Sequence, residues 1–376
     1  MKFVVSCNSL LSHLQTVGRV IASKNSIPVL DCFLFELQDN KLTITASDNE
    51  TRMVTTIDVS EVAGEGIFAI PSKNLLDSLK ELPEQPVSFD LNDDTLEMFI
   101  YYENGKYNFI AQNGDEYPQP KPLKEDAVSL AMPTDVLFSG VNRSLFATAE
   151  DELRPVMNGI YFDITTDDVT FVASDGHKLV RCKSLSVKSA ERASFILPKK
   201  PANLLKSILP KESGEVMLTF DDSNAYFKLE HFDLVCRLIE GRYPNYNGVI
   251  PQDNPYKVTL DRLLFANALK RVSVFSNPAS GLIKLKISSN NILISMQDID
   301  FSTSAEETIA CVYDGEEMSI GFKGSYLIEI LNNLPSPEVV LELADPSRAG
   351  IILPAENEDD EDLLMLLMPM MLNDVE

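Results

Sequence analysis

The chain has 376 residues, a formal net charge of −25 at pH 7 and a hydrophobic fraction of 44%, which fits a folded protein of two or three domains and excludes a disordered chain. Its five cysteines are odd in number, widely spaced and never in a CxxC pair, which argues against a disulfide framework or a zinc site and fits a reducing cytoplasm. The longest apolar run, residues 363–372, is too short to cross a bilayer, so we expect no membrane segment.

The first third of the chain has the pattern of a helix, a β-hairpin, a short strand and a second helix. Apolar residues at helical spacing predict the first helix within residues 10–21. Residues 33–46 then alternate between apolar and polar on both sides of a polar turn, which predicts a hairpin with one buried face. A short strand at 67–70 leads into a second helix that starts at Ser72, and Pro83 ends it.

The same order of elements returns twice further along the chain. Six alternating apolar positions of the first hairpin reappear after a shift of 127 residues and again after a further 123, and an aspartate follows each set. The three sets are Phe33, Phe35, Leu37, Leu42, Ile44, Ala46 and Asp48; Ile160, Phe162, Ile164, Val169, Phe171, Ala173 and Asp175; and Ile283, Leu285, Ile287, Ile292, Ile294, Met296 and Asp298. Three matched hairpins predict a threefold internal repeat.

Each later hairpin also lies between two predicted helices. We expect the first helix of the second copy to begin after Thr134 and that of the third copy after Thr259, because threonine is a good N-cap. The second helices begin at Lys199 and Lys323, and a proline follows each of them. The sequence therefore predicts an α+β protein in which each copy has two helices packed on antiparallel sheets.

Proline-rich connectors at residues 115–122 and 241–255 separate the copies. Each copy then has roughly 125 residues, close to the common size of a domain. The predicted domains are residues 1–120, 128–245 and 254–376.

Three short segments, together with the repeat, point to a known family. The segments are MKF at the start, SDGHKL at residues 174–179 and LLMPMML at residues 366–372. In a chain of three units they resemble the bacterial β sliding clamp, the processivity subunit of DNA polymerase III. The resemblance covers essentially the whole chain. It implies a head-to-tail homodimer that closes a ring of six domains, with sheets outside and helices lining a hole for duplex DNA.

The charge distribution is compatible with DNA inside such a ring. The predicted helices carry eleven basic and five acidic residues, a charge of +6, and the remainder carries −31. Basic side chains that contact phosphates do not read the base sequence, so retention would come from the closed ring. Ordinary surface charge is the alternative for each residue. By position, the resemblance implies DNA contacts at Lys24, Lys73, Arg154, Lys199 and Lys200.

The C-terminal tail joins the acidic residues 356–362 to the apolar residues 363–372. A last core strand flanked by charges and an exposed, Met-rich surface that accepts varied peptides are both compatible with it. Its shortness, its proline and its acidic flank disfavour a membrane anchor. The resemblance favours a peptide-binding groove between the second and third domains. The matching positions are Met157, Ser174, Gly176, His177, Lys178, Leu179, Pro244, Val249, Ile250, Leu366, Leu367, Met368, Pro369, Met370, Met371 and Leu372.

The tail also departs from the family pattern. The family commonly has an arginine where this chain has Met371, a basic position near Gly248 is missing, and residues 373–376 extend the chain. Polar contacts at the mouth of the groove are therefore expected to differ, while the apolar floor is kept.

The resemblance implies several partners beside DNA. The catalytic subunit of DNA polymerase III, the clamp loader, and other polymerases and repair factors would bring short clamp-binding peptides to the groove. Because the chain has no GxxxxGK[ST] phosphate loop, an ATP-driven loader must be a separate protein. The dimer contact would join Tyr107 and Phe109 of one chain to Val274 and Phe275 of the other; a place in the core of their own domain is the alternative.

Two other functions stay open. One is an acidic scaffold of three modules that binds peptides and never encircles DNA. The other is a hydrolase that uses Asp175 and His177. Asp175 repeats at Asp48 and Asp298, which no histidine follows, so a role in a turn is favoured. We predict a non-catalytic protein with no catalytic residue, no metal and no cofactor.

Overall fold

The structure, a computed structural model, describes residues 1–275, 280–298 and 302–372. In these ranges the chain forms six α-helices and 26 β-strands, and the paired strands run antiparallel. The helices are α1 (Cys7–Val17), α2 (Ser72–Lys80), α3 (Thr134–Ser144), α4 (Lys199–Ile208), α5 (Arg262–Ser273) and α6 (Gly324–Asn332). The predicted α+β class, with two helices in each copy, is confirmed.

The strands fall into three consecutive groups, one for each copy of the repeat. The first copy has β1 (Lys2–Ser6), β2 (Cys32–Gln38), β3 (Lys41–Ser47), β4 (Thr51–Asp58), β5 (Ser60–Ala63), β6 (Gly66–Pro71), β7 (Pro86–Leu91), β8 (Glu97–Tyr102), β9 (Gly105–Ile110) and β10 (Gln112–Asn113). The second copy has β11 (Val128–Pro133), β12 (Gly159–Ile164), β13 (Val169–Ser174), β14 (Lys178–Ser184), β15 (Ala193–Pro198), β16 (Glu215–Phe220), β17 (Asn224–Lys228) and β18 (Phe232–Arg237). The third copy has β19 (Tyr256–Asp261), β20 (Leu282–Ser288), β21 (Asn291–Asp298), β22 (Thr303–Ala310), β23 (Met318–Lys323), β24 (Glu338–Leu343), β25 (Gly350–Pro354) and β26 (Glu361–Leu367).

The three predicted hairpins are β2–β3, β12–β13 and β20–β21, and their registers agree. The cross-strand neighbours at one repeat position are Phe35 and Ile44, Phe162 and Phe171, and Leu285 and Ile294. All eighteen apolar positions of the repeat are at most 5% exposed. Side chains two residues apart lie on the same face of a strand, so one alternating pattern buries one face in all three copies.

Side chains cap α1 and α5, and both predicted threonine caps are corrected. Thr134 is the first residue of α3 rather than its cap, and its hydroxyl donates to the carbonyl of Gly214. Ser6 accepts a hydrogen bond from the backbone N–H of Ser9 and caps α1. Thr259, predicted to cap the first helix of the third copy, instead lies in β19. The strand continues for two more residues, and Asp261 caps α5 by accepting the N–H of Leu264 at 2.7 Å. An aspartate is the stronger cap, since its charge also complements the helix dipole.

The strands form four sheets, and two of these join neighbouring copies. The strand orders are β5-β1-β7-β8-β9, β10-β6-β2-β3-β4-β18-β17-β16-β11, β15-β12-β13-β14-β26-β25-β24-β19 and β22-β21-β20-β23. The nine-stranded sheet passes from the first copy to the second where β4 pairs with β18, and the eight-stranded sheet passes from the second to the third where β14 pairs with β26. The copies are therefore linked by backbone hydrogen bonds as well as by connectors.

Internal contacts divide the chain into two compact units. The first unit comprises residues 1–137 and 203–238 and holds the five- and nine-stranded sheets. The second comprises residues 138–202 and 239–376 and holds the eight- and four-stranded sheets. Of the helices in the described ranges, none is both long and apolar enough to span a membrane.

Candidate functional site

The β13–β14 turn, predicted to line the groove, is a tight turn built by side chains. One carboxylate oxygen of Asp175 accepts the backbone N–H groups of His177 at 2.8 Å and Lys178 at 2.9 Å. The hydroxyl of Ser174 donates to the carbonyl of Lys178 at 2.8 Å and accepts the N–H of Gly176. Gly176 has a φ of +89°, a conformation that glycine adopts without strain. The SDGHK motif, residues 174–178, therefore forms this turn through its own side chains.

The turn role predicted for Asp175 is confirmed. Asp48, its counterpart in the first copy, likewise accepts two backbone N–H groups of the turn that follows it. The second oxygen of Asp175 lies 3.0 Å from the ammonium of Lys178. Both oxygens are thus engaged away from the exposed imidazole of His177. The dyad that a hydrolase would need is not formed.

Lys178, a predicted groove residue, is only 5% exposed. Its ammonium lies 3.0 Å from Asp175 and 3.0 Å from Glu329 of α6, and 4.1 Å from the centre of the Tyr326 ring. Burial alone would lower the pKa of Lys178, but the hydrogen bonds to the two carboxylates raise it above its ordinary value. Burial likewise works to raise the pKa of Asp175, while its backbone and lysine hydrogen bonds bring it below its ordinary value. The side chain is a buried ion-pair partner, not an exposed contact.

An apolar cluster forms the floor beside this turn. Leu179 of β14 and Leu366 of β26 are direct cross-strand neighbours, and both are 3% exposed. Ile250 and Tyr243 of the connector pack into the same cluster. The eight-stranded sheet therefore has an apolar patch where the second and third copies meet, and the connector covers part of this patch.

The tail divides between the two structures that were predicted for it. Residues 361–367 form β26, and Leu367 is fully buried, so its side chain supports the floor from beneath. Beyond it, the N–H of Met368 donates to the carbonyl of His177 at 2.8 Å and the N–H of Met370 donates to the carbonyl of Gly321 at 2.8 Å. The exposed fraction is 44% for Met368 and 81% for Met371. The core strand and the exposed methionine surface are thus consecutive segments.

The sixteen predicted groove residues all belong to the second unit and differ in how deeply they are buried. The exposed ones are Gly176, His177, Pro244, Val249, Met368 and Met371; the half-buried ones are Pro369, Met370 and Leu372; the buried ones are Met157, Ser174, Lys178, Leu179, Ile250, Leu366 and Leu367. Sequence reasoning missed Tyr243, Gly321 and Tyr326. A signal existed for Tyr243, because its Tyr-Pro pair repeats at Tyr117.

Gly321 of β23 forms a backbone bridge with Met370 of the tail. A Cβ at Gly321 would lie 2.7 Å from the carbonyl oxygen of Met370, too close for any side chain. The backbone bridge between these two residues therefore depends on glycine.

The acidic stretch before β26 is held by a helix arginine. The guanidinium of Arg143 on α3 contacts Glu361 at 2.6 Å and Glu358 at 2.8 Å, and Ser139 donates to Glu361 at 2.9 Å. Burial raises the pKa of Glu361 above its ordinary value, against the opposing effect of Arg143. The side chain of Arg143 is 9% exposed, so its inclusion among the helix charges that face DNA phosphates is corrected.

The predicted DNA contacts differ in how freely they present their charge. Lys24 and Lys73 are exposed in the first unit. In the second unit, Lys199 pairs with Glu150 at 2.6 Å. This hydrogen bond lowers the pKa of the Glu150 carboxyl. Lys200 is half-buried.

Arg154 lies beside the groove turn. Its Nε donates to Asp151 at 2.8 Å, and a Cβ built on Gly176 would lie 3.2 Å from one of its Nη atoms. Its side chain is 54% exposed. The structure therefore places this predicted DNA contact next to Gly176.

The observed helix bounds keep the predicted charge asymmetry. The described helices contain nine basic and three acidic side chains, again +6. Part of this charge is already engaged by protein oxygens, at Arg143, Lys199, Arg262 and Arg271. The positive field of the helices is therefore weaker than the count implies.

The predicted dimer residues lie on an edge strand of the first unit and at the end of a helix in the second unit. Tyr107 and Phe109 are half-buried on β9, an edge strand of the five-stranded sheet. Val274 and Phe275 directly follow α5 and are 78% and 45% exposed, which rules out a core position for them. Within the described ranges, no three His, Cys, Asp or Glu side chains are grouped so that they could hold a metal ion.

Comparison with known proteins identifies relatives along the whole chain. Three family profiles match: the N-terminal domain of the DNA polymerase III beta subunit at residues 1–121, the central domain at 131–245 and the C-terminal domain at 247–371. The beta sliding clamp of Haemophilus influenzae is 28% identical over 375 residues, which covers 99% of this chain and 100% of the relative.

Solved structures show the same fold. The Pseudomonas aeruginosa sliding clamp bound to griselimycin superposes with a TM-score of 0.93 at 24% identity, covering 99% of this chain and 100% of that one. The Bartonella birtlesii sliding clamp bound to griselimycin gives a TM-score of 0.92 at 25% identity with the same coverage.

Proposed function

The chain belongs to the DNA polymerase III beta subunit family, the β sliding clamps, and we propose that two copies close head to tail into a ring around duplex DNA. The family is the non-catalytic processivity factor of DNA polymerase III, and the chain has its three clamp domains. Membership of this family does not favour the scaffold that never encircles DNA. Because the family is non-catalytic, it also excludes the hydrolase. We propose 1–120, 128–245 and 254–376 as the domain limits, supported by the spans of the three profiles.

The continuous sheets carry the ring proposal. Within the chain, a nine-stranded sheet links the first and second domains and an eight-stranded sheet links the second and third. The five- and four-stranded sheets end at β9 and β22, whose outer edges pair with no other strand in the described residues. An unpaired edge is a template for another chain. Pairing β9 with β22 of a second copy gives a nine-stranded sheet, the same size as the sheet between the first two domains.

The two edges are complementary in charge as well as in strand number. Lys106 lies on β9, whereas Glu306 lies on β22 beside Glu307, which already contacts Arg271. Phe275 and Val274 follow α5, which packs against β22, and offer apolar surface beside that edge. Side chains of opposite charge that face each other across two antiparallel strands stabilise the pairing of the strands. Aromatic side chains often anchor protein interfaces.

We propose the surface at the β14–β26 junction as the site for partner peptides. The apolar floor of Leu179, Ile250 and Leu366 lies beside the exposed His177 and Met368, an arrangement that suits an extended peptide with apolar side chains. The partners are the polymerase catalytic subunit, the clamp loader, and other polymerases and repair factors. We propose that griselimycin, bound by the two clamps in the comparison, also binds this chain.

DNA contacts in this proposal are few and weak. Lys24, Lys73, Arg154, Lys199 and Lys200 approach phosphates without reading bases, and two of them already share their charge with a carboxylate. Firm binding to six to ten phosphates would make affinity fall by roughly 10³–10⁵ with moderate salt and would oppose sliding. We propose that the closed ring retains the protein on DNA in the cytoplasm, after an ATP-driven loader opens it.

Retention on circular DNA tests this function. The protein is loaded on nicked circular duplex with a clamp loader and ATP, and gel filtration measures the bound fraction before and after linearisation by a restriction enzyme. We expect retention on the circle at high salt and rapid loss from the linear form. Equal loss from both forms would contradict encirclement.

A further inference from the structure

Lys178 connects three parts of the groove: strand β14, the turn before it, and helix α6. It begins β14, its backbone closes the turn with Asp175, and its ammonium reaches Glu329 on α6 at 3.0 Å. The same ammonium lies over the Tyr326 ring of α6, and Lys323 lies 4.5 Å over that ring as well. The second-domain turn and the third-domain helix are thus joined through one enclosed cation.

The exposed wall of the groove depends on the same two parts. The segment from Met368 to Leu372 makes two backbone hydrogen bonds, one to His177 in the turn and one to Gly321 within β23, the strand that leads into α6. Leu367 pairs with Lys178 in the β14–β26 ladder, so the bond to His177 depends on the turn, whereas the bond to Gly321 lies on the β23 side. The distance between floor and wall therefore depends on the brace between the turn and the helix.

We propose that Lys178 is a positioning residue that locks the 174–178 turn onto α6 and so holds the groove open at one width for the partner peptide. This rests on the proposed function of the groove and deepens it, since it moves Lys178 from the lining of the site to its frame. The ammonium itself does not touch the peptide. When the groove is already formed, peptide binding does not have to pay the entropy cost of ordering the groove.

The ionisation states agree with a permanent brace. Asp175 keeps its charge below its ordinary pKa of 3.8, and Lys178 keeps its charge above its ordinary pKa of 10.5. The stabilisation from Asp175 is lost only as pH falls below 3.8, and that from Lys178 only as pH rises above 10.5. Between these limits the brace does not act as a pH switch.

The test compares Lys178→Met with Lys183→Met. Lys183 lies on the same strand and forms a lysine–aspartate pair of the same length, 3.0 Å, with Asp168, so it is a matched control. The probe is a fluorescent extended hexapeptide that ends in leucine and phenylalanine. We expect Lys178→Met to weaken its binding about ten-fold or more, and Lys183→Met by less than about two-fold.

Amide hydrogen exchange separates positioning from general loosening. In Lys178→Met, the N–H of Met368 should exchange faster while that of Met370 stays protected, because only the first bond depends on the turn. Unchanged peptide affinity, or equal loss of protection at both amides, would overturn the proposal.

A milder variant covers the case in which Lys178→Met does not fold. Glu329→Gln changes a side chain that is 46% exposed and removes only the negative charge at the α6 end of the brace. We expect an intermediate loss of peptide affinity with the same order of amide exchange, and wild-type values for both would overturn the proposal. If the wild type itself does not bind the probe, the groove function fails, while the exchange of Met368 still tests the brace.

Discussion

Met368 is the groove residue whose substitution tests peptide binding most cleanly. Leu179 is 3% exposed, so a charge there would disturb the core, whereas Met368 is 44% exposed. We expect Met368→Asp to abolish binding of a clamp-binding peptide or of the polymerase, since a carboxylate is costly beside an apolar floor. Fluorescence anisotropy measures the affinity, and sedimentation shows whether the dimer persists.

Met217 provides the matched control for this substitution. It is 46% exposed and lies on β16 in the other compact unit. Met217→Asp should bind the peptide like the wild type. If both variants bind equally well, the groove assignment is wrong.

His13 is a second residue whose chemistry can be tested, through pH. The hydroxyl of Thr55 donates to the carbonyl of His231 at 2.9 Å, so the Nδ1–H of His13 must donate to that hydroxyl at 2.8 Å. Burial and the neighbouring His231 lower the pKa of His13 below its ordinary 6.5. Below pH 6.5 the unfolded chain therefore binds this proton before the folded protein does, and stability falls as the pH decreases.

We expect the free energy of unfolding to fall more in wild type than in His13→Gln between about pH 7.5 and about pH 5.5, because glutamine can donate the same hydrogen bond but does not titrate. Urea denaturation at both pH values measures the difference. Equal losses in the two proteins would show that His13 does not carry this dependence.

At the scale of elements, α3 and β26 are connected by a buried ion pair. Arg143 and Glu361 each have a side-chain exposure of 9%, and the acidic residues before β26 pack on α3 through them. Removing one partner of a buried pair leaves the other without compensation. We expect Arg143→Met to reduce the free energy of unfolding by about 3 kcal/mol, measured by urea denaturation.

Arg271 offers the contrasting pair on another helix. Its guanidinium contacts Glu307 but is 60% exposed, and exposed pairs contribute little. Arg271→Met should cost no more than about 1 kcal/mol. If both variants lose a similar free energy of unfolding, the buried pair of Arg143 and Glu361 does not stabilise the protein more than an exposed pair.

At the scale of the whole molecule, the proposed ring depends on contacts beside β22. Phe275 is 45% exposed although it is a large aromatic side chain, as expected of an interface anchor. We expect Phe275→Asp to raise the dimer dissociation constant on the order of 100-fold or more and to shorten retention on circular DNA. Sedimentation velocity measures the dimer.

Leu185 is the control for the ring variant, because it is also 45% exposed and follows β14 rather than β22. Leu185→Asp should remain dimeric and stay on the circle. A dimeric Phe275→Asp protein would contradict the position of the interface, and a monomeric wild type would contradict the ring.

The hydrophobic periodicity of the sequence and the chemistry of neighbouring residues determined the buried faces, the threefold repeat and the turns. The alternating residues of the hairpins specified which face is buried, and the equal spacing of three hairpins predicted the repeat. Asp175 could be assigned to a turn because it repeats at Asp48 and Asp298, which no histidine follows, and in the structure its hydrogen bonds close within three residues. Such patterns are legible because the interacting groups are neighbours along the chain.

Only the tertiary structure decided the partners of charged and terminal residues. Arg143 was counted as a helix charge, yet it meets Glu361, which lies 218 residues away in sequence. Lys178 matched a groove position but turned inward to α6, and the apolar tail was split between a buried strand and an exposed wall. A periodic pattern records that a side chain is buried or exposed, whereas an ion pair or a sheet junction depends on which distant segment folds against it.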